Sequence, residues 1–205
     1  MDAYSVSGET EDPYDTTNRV RADLIRNGVY PEKVRGYAGE VLDDVDKGVE
    51  RYRYAAALTE FVYEEVEHVG GGNQALYRPD YILEHDVESD CEDQAVLLAS
   101  LLTVRSFNTR FVGAGNSDIG YHLMVQVEFP VDKVDELEEE ARSFYSEDVE
   151  LFYQEEGDSA WLLCDPVASP VIGSASTDYF RIRNRRELGF KEEVLYDYIH
   201  PEELA

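Results

Sequence analysis

Three residues in this sequence have the types and surroundings to do nucleophilic chemistry: Cys91, His122 and Asp165. Cys91 lies in Ser89-Asp90-Cys91-Glu92-Asp93-Gln94, which runs into the nearly apolar Ala95-Val96-Leu97-Leu98-Ala99-Ser100-Leu101-Leu102. Ser89 with Glu92 has the form of a helix capping box, and Asp90 with Asp93 offers the same form one residue later. Either register puts Cys91 in the first turn, where free backbone N–H groups and the positive end of the helix dipole favour a thiolate. A nucleophile of this kind needs a base, and the base needs an orienting partner. His122 stands near the start of the strand-like Tyr121-His122-Leu123-Met124-Val125-Gln126-Val127-Glu128-Phe129, and Asp165 closes the strand-like Trp161-Leu162-Leu163-Cys164. Taken alone, Cys91 would read as a small buried hydrophobe. The cap before it and the His and Asp after it change that reading. Asp90, Glu92 and Asp93 serve the cap and dipole, yet three acids beside Cys91 oppose a thiolate, so His122 must supply the counter-charge.

The other chemically capable residues carry less. Cys164 adjoins Asp165 on one strand, so the two side chains face opposite sides. Cys164 is therefore expected in the core, and a Cys91–Cys164 disulfide is not expected. His68, His85 and His200 lack partners at metal-ligand spacing and read as surface residues. Asp43-Asp44-Val45-Asp46-Lys47-Gly48 invites a calcium-loop reading, but no register places acids at positions one, three and five with glycine at six. No metal and no organic cofactor is expected.

These residues need a scaffold, and 205 residues suffice for a single domain with a sizeable core. The 45 acidic residues against 18 basic ones give a formal charge of −27, while 15 Tyr and 8 Phe argue against disorder. Lysine occurs only at 33, 47, 133 and 191. A folded, acidic, lysine-poor chain suits concentrated salt, which screens self-repulsion. We therefore expect a halophilic archaeal or haloviral protein, in a high-salt cytoplasm or as a virion component. No basic patch exists to neutralise phosphates, so nucleic acid is not an expected partner. The sequence shows no signal peptide and no apolar run of membrane-spanning length.

Along the chain, residues 1–14 read as a polar arm. Thr16 or Thr17 could cap a helix running through Arg26 to Gly28. Pro31 opens a second helix to about Lys47, and a third fits Glu50 to His68, with Ala57, Phe61, Val62 and Val66 on one face. Gly70-Gly71-Gly72-Asn73 breaks it, and Tyr77-Arg78-Pro79-Asp80-Tyr81-Ile82-Leu83 leads to the Cys91 helix. Thr109 to Gly115 reads as a strand in a hairpin with the His122 strand. Between Pro130 and Tyr145 the spacing of Val134, Leu137, Ala141 and Phe144 predicts a helix, with Asp135, Glu136, Glu138, Glu139 and Glu140 on a solvated face. A strand at Val149–Tyr153 and a turn at Glu156-Gly157-Asp158 follow. Asp178 to Arg183 reads as a final strand, with Arg181, Arg183, Arg185 and Arg186 gathering basic charge, and Glu187–Ala205 as a short helix and acidic tail.

The order Cys, His, Asp on a capped helix and two strands resembles the transglutaminase-like superfamily of papain-type thiol enzymes. Asp90-Cys91-Glu92-Asp93 with its apolar helix, His122 opening a strand, and Trp161 leading to Asp165-Pro166 carry the likeness, over roughly residues 55–170. The resemblance implies an α+β fold: a papain-like/transglutaminase-like core with the catalytic helix buried against an antiparallel sheet. Residues 1–50 would be a helical extension, 51–185 the core with an insertion at 130–147, and 186–205 a tail. It also implies acyl transfer through a thioester, with Cys91 attacking a carboxamide or peptide carbonyl. His122 would protonate the leaving amine and Asp165 would hold the imidazole. The oxyanion would lie on the Cys91 N–H and a second donor from 74–81. A protease or amidase acting on a protein or peptide is favoured over a lysine cross-linker. The alternatives are a catalytically idle structural or docking subunit with an assembly partner, and a peptide-binding module. Two departures stand out: the insertion, where the family has a tight turn, and Leu123-Met124 after His122 in place of a small-then-aromatic pair.

Overall fold

The structure, a computed structural model, describes residues 25, 27–43, 45, 51–70, 76–116, 120–174, 180–183, 187–190 and 193–199; side chains are described up to 174, except at 114–116, 120 and 121. The expected N-terminal arm, the Thr16/Thr17 cap, Arg185, Arg186 and His200 lie outside these residues, as do the side chains of Arg181 and Arg183. The fold is α+β. Five α-helices are described: α1 (Pro31–Asp43), α2 (Arg51–Glu65), α3 (Pro79–His85), α4 (Cys91–Val104) and α5 (Val134–Tyr145), the last preceded by a 3-10 turn at Val131–Lys133. The strands are β1 (Thr109–Asn116), β2 (Gly120–Pro130), β3 (Tyr153–Glu156), β4 (Ser159–Cys164), β5 (Phe180–Arg183), β6 (Glu187–Phe190) and β7 (Glu193–Ile199). They form one sheet in the order β5-β6-β3-β4-β2-β1-β7. Every neighbouring pair is antiparallel except β3 and β6, which meet in parallel at Tyr153 and Glu187.

The apolar run after Cys91 decides the architecture. Every residue of α4 from Glu92 to Thr103 is buried, with α1, α2 and α3 packed around it and β1 and β2 against it. Leu97, Leu98, Leu101 and Leu102 are fully enclosed. Each such side chain is worth about 1.5–3 kcal/mol of transfer free energy, so packing holds this helix more than intrinsic propensity does. From the sheet, Leu123, Val125, Val127 and Phe129 of β2 and Ala160, Leu162 and Cys164 of β4 join the same core. Val125 lies opposite Cys164 in the ladder, which sets the C-terminal end of β4 beside the middle of β2, three residues from His122.

Several elements depart from the sequence reading. Helix α1 ends at Asp43 rather than Lys47. No basic residue stands in its last turn to complement the negative end of the dipole, and Val45 closes it with an N–H bond to Leu42 C=O at 3.2 Å. Helix α2 stops at Glu65 because the following backbone pairs elsewhere. Ser89 N–H donates to Glu67 C=O and Val69 N–H to Ser89 C=O, both at 3.0 Å, around a parallel bridge between His68 and Ser89. The strand expected at Val149–Tyr153 begins only at Tyr153. Val149 and Leu151 are core plugs, and Phe152 N–H bonds Gly173 C=O at 2.8 Å instead of entering the ladder. The short helix expected after Glu187 is replaced by β6 and β7, the latter rich in the aromatic and branched residues that suit strands. The acidic face of α5 is not wholly solvated: Glu138 is buried and paired with Arg142 at 2.6 Å. Among the described residues, no helix is long and apolar enough to cross a membrane.

Candidate active site

Of the two cap registers, the second is the one formed. Asp90 is the N-cap, in extended conformation, and its Oδ1 accepts the N–H groups of Glu92 at 2.9 Å and Asp93 at 3.1 Å. The Asp93 carboxylate reaches back to the Asp90 N–H at 3.3 Å. Cys91 is therefore the first residue of α4, half-buried, with the dipole of a fully enclosed helix behind it. Ser89 cannot cap because its backbone is pinned to Glu67 and Val69, and its hydroxyl bonds Val87 C=O at 3.0 Å.

His122 is the third residue of β2 and Asp165 the first beyond β4, so the adjacent ladder brings them together from 43 residues apart. His122 Nε2 lies 2.9 Å from both carboxylate oxygens of Asp165, and both side chains are buried. The Asp165 carboxylate also accepts Val167 N–H at 3.3 Å, and its carbonyl accepts the N–H groups of Ala168 and Ser169. Burial works against a charged imidazole, but hydrogen bonds and charge from Asp165 and from Cys91 outweigh it and push the His122 pKa up to about 10. Cys91, His122 and Asp165 thus form one cluster: a thiol at a helix mouth, an imidazole between thiol and carboxylate, and a carboxylate that also accepts the Val167 N–H.

Cys164, one residue before Asp165, is fully buried, and that burial pushes its thiol pKa up. Both cysteines are free thiols. His68 and His85 are exposed. Among the described residues, no group of three or more His, Cys, Asp or Glu is arranged to hold a metal ion.

Three features of the surroundings were not legible in the sequence. Tyr77 N–H donates to Asp93 Oδ1 at 2.7 Å, which ties the entry segment to the cap and commits one expected oxyanion donor elsewhere. Burial raises the Asp93 pKa to about 6, against the hydrogen bonds it accepts and with the help of Asp90 and Glu92. From Tyr77 a ladder of rings continues through Tyr81 to His85, with centroids 5.8 and 4.2 Å apart. Finally, Arg110 is buried across the sheet. Its Nε reaches Gln126 at 2.6 Å, its Nη groups reach Glu156 and Gln154 at 2.9 Å, and its guanidinium carbon lies 4.2 Å from the centre of the Trp161 ring. Trp161 is buried, but on the face of the sheet away from the core that holds Ala160 and Leu162, and its partner there is a cation. The alternation of Arg110 with Phe111 was the available signal: Phe111 joins the core, which turns Arg110 to the opposite face of the sheet, where a buried charge needs partners that only the tertiary fold shows.

No family model matches the chain, and no curated protein matches it. Among solved structures it is similar to a "Putative Cysteine Protease from Cytophaga hutchinsonii", at 16% identity over 70% of this chain and 39% of that one, with a TM-score of 0.44. The chain therefore spans about two fifths of the length of that protein, and a likeness this distant bears on neither the fold nor the site described above.

Proposed function

We propose that this chain is a transglutaminase-like cysteine hydrolase or acyltransferase, acting on a carboxamide or peptide bond through Cys91, His122 and Asp165. The observation that carries the reading is the clustering of His122 with both Asp165 oxygens on one side and the Cys91 side chain on the other, at the start of a capped, buried helix. With Nε2–H donated to Asp165, Nδ1 is the ring nitrogen left to the thiol. Cys91 gives its proton to Nδ1, and the thiolate sulfur attacks the carbonyl carbon to form a tetrahedral oxyanion. Collapse breaks the C–N bond as the imidazolium returns the proton to the departing amine, leaving a thioester. Water then adds, His122 taking its proton, and expulsion of the thiolate completes hydrolysis. A lysine amine in place of water gives cross-linking. Hydrolysis is the favoured outcome, on a protein or peptide substrate. The acidic composition fits work in concentrated salt, in the cytoplasm of a halophile or in a virion.

The test is alkylation by iodoacetamide across pH in molar KCl. Cys91 should label well below pH 8. Labelling should vanish in Cys91→Ala and require higher pH in His122→Ala. A Cys91 that does not react, or whose reactivity ignores His122, overturns the enzyme reading and leaves the structural-subunit one.

A further inference from the structure

Helix α5 fills the connection between the His122 strand and the Asp165 strand and packs against α2. Its last residue, Tyr145, turns its hydroxyl onto the segment that follows Asp165. Tyr145 Oη donates to Pro170 C=O at 3.0 Å and accepts Ile172 N–H at 3.3 Å. From α2, Tyr52 Oη donates to Ile172 C=O at 3.3 Å. Burial pushes both phenol pKa values upward, so both hydroxyls stay protonated as donors. The rest of the segment is tied to the same frame. Val167 N–H bonds the Asp165 carboxylate, Ala168 and Ser169 bond its carbonyl, and Gly173 N–H closes the loop on Leu163 C=O at 2.7 Å. Gly173 holds a left-handed backbone (φ +79°) there. The loop is thus fixed at its origin on Asp165, at its return to β4, and in between by hydroxyls from two helices.

We propose that the inserted helix is a brace for the site's carboxylate, and that Tyr145 is a positioning residue that holds Asp165 against His122 through the 166–173 loop. This rests on the catalytic reading of the cluster. The physical argument is one of orientation. An aspartate at a strand end keeps both oxygens on an imidazole only if the backbone beyond it cannot swing. Two main-chain bonds from one half-buried phenol restrict that motion without touching the reacting atoms. The helix then serves as a backstop to the site, in place of a lid over it.

The experiment is Tyr145→Phe, which keeps the ring and removes both hydrogen bonds. The readout is titration of the His122 ring by NMR; the titratable groups at that ring are Asp165 and Cys91. The His122 pKa should fall from about 10 toward its ordinary value by about one unit, a tenfold change in the protonation equilibrium. Leu137→Ala, in the apolar face of the same helix, should lower the melting temperature while leaving the His122 titration unchanged. A Tyr145→Phe protein that loses stability yet keeps the wild-type His122 titration overturns the brace. An unreactive wild-type Cys91 overturns the hydrolase reading, and the His122 titration still decides whether Tyr145 positions Asp165.

Discussion

Replacing Asp165 by Asn tests whether the carboxylate holds a charged imidazole or only a neutral one. The substitution keeps the size and one acceptor but removes the charge that His122 Nε2 meets at 2.9 Å. The rise of the His122 pKa from 6.5 to about 10 is about 3.5 units, or about 5 kcal/mol of preference for the protonated ring in the folded state. Burial opposes that preference and both Asp165 and Cys91 feed it; a hydrogen bond to a charged group is worth about 1.5–3 kcal/mol, which sets the scale for the Asp165 part. Because the folded pKa lies above the unfolded one, this stabilisation is complete below pH 6.5 and disappears as pH climbs toward 10. Urea unfolding in a Cys91→Ala background removes the thiol's own titration. There, Asp165→Asn should cost about 1.5–3 kcal/mol at pH 6, shrinking to about 1 kcal/mol, the value of an ordinary hydrogen bond, as the pH approaches 10. A cost that is the same at both ends of that range would refute the ion pair.

Asp90→Ala should destabilise the protein by about 2 kcal/mol, the upper end for a helix cap, because two enclosed N–H groups lose their acceptor. Cys91 alkylation should slow with it, and Asp90→Ser should recover most of both in thermal melts and labelling assays. Arg110→Lys should cost about 2–4 kcal/mol, since an ammonium cannot serve Gln126, Gln154 and Glu156 together while keeping its charge over the Trp161 ring. Cys91 labelling of that variant should match the wild type once both are folded. Gly173→Ala should cost about 1–3 kcal/mol, because φ is +79° and the new methyl would lie 3.0 Å from Leu151 Cδ2; calorimetry would measure it.

The elements that hold the candidate site were more legible than their supports. Cys91 was readable because two local signals coincide, an acid-rich cap and an apolar run long enough to demand burial. His122 and Asp165 were readable because each terminates or opens a strand whose alternation is strong. What sequence left open was set by long-range pairing. The choice of Asp90 over Ser89 as cap depends on Ser89 bonding residues 67 and 69, some twenty positions earlier. Glu138 looked solvated by spacing, yet its carboxylate is enclosed against Arg142. The 187–199 region looked like a tail because its acids mask a strand pattern, and β7 exists as a ladder partner of β1. Tyr145 carried no signal at all: a tyrosine ending an amphipathic helix is ordinary until its hydroxyl is seen to hold the Asp165 loop.

The bridge at His68 and Ser89 has a consequence for how this protein could be altered. Its two 3.0 Å backbone bonds close a neck around residues 69–88, including all of α3, one residue ahead of the cap that starts at Asp90. A closed neck separates the length of what lies beyond it from the position of what lies behind it, and lengthening a loop costs little in closure entropy. Residues inserted after the exposed Gly70 would therefore lengthen the chain beyond the neck without shifting the thiol behind it. That makes the segment a graft site, where recognition can be rebuilt around a fixed nucleophile.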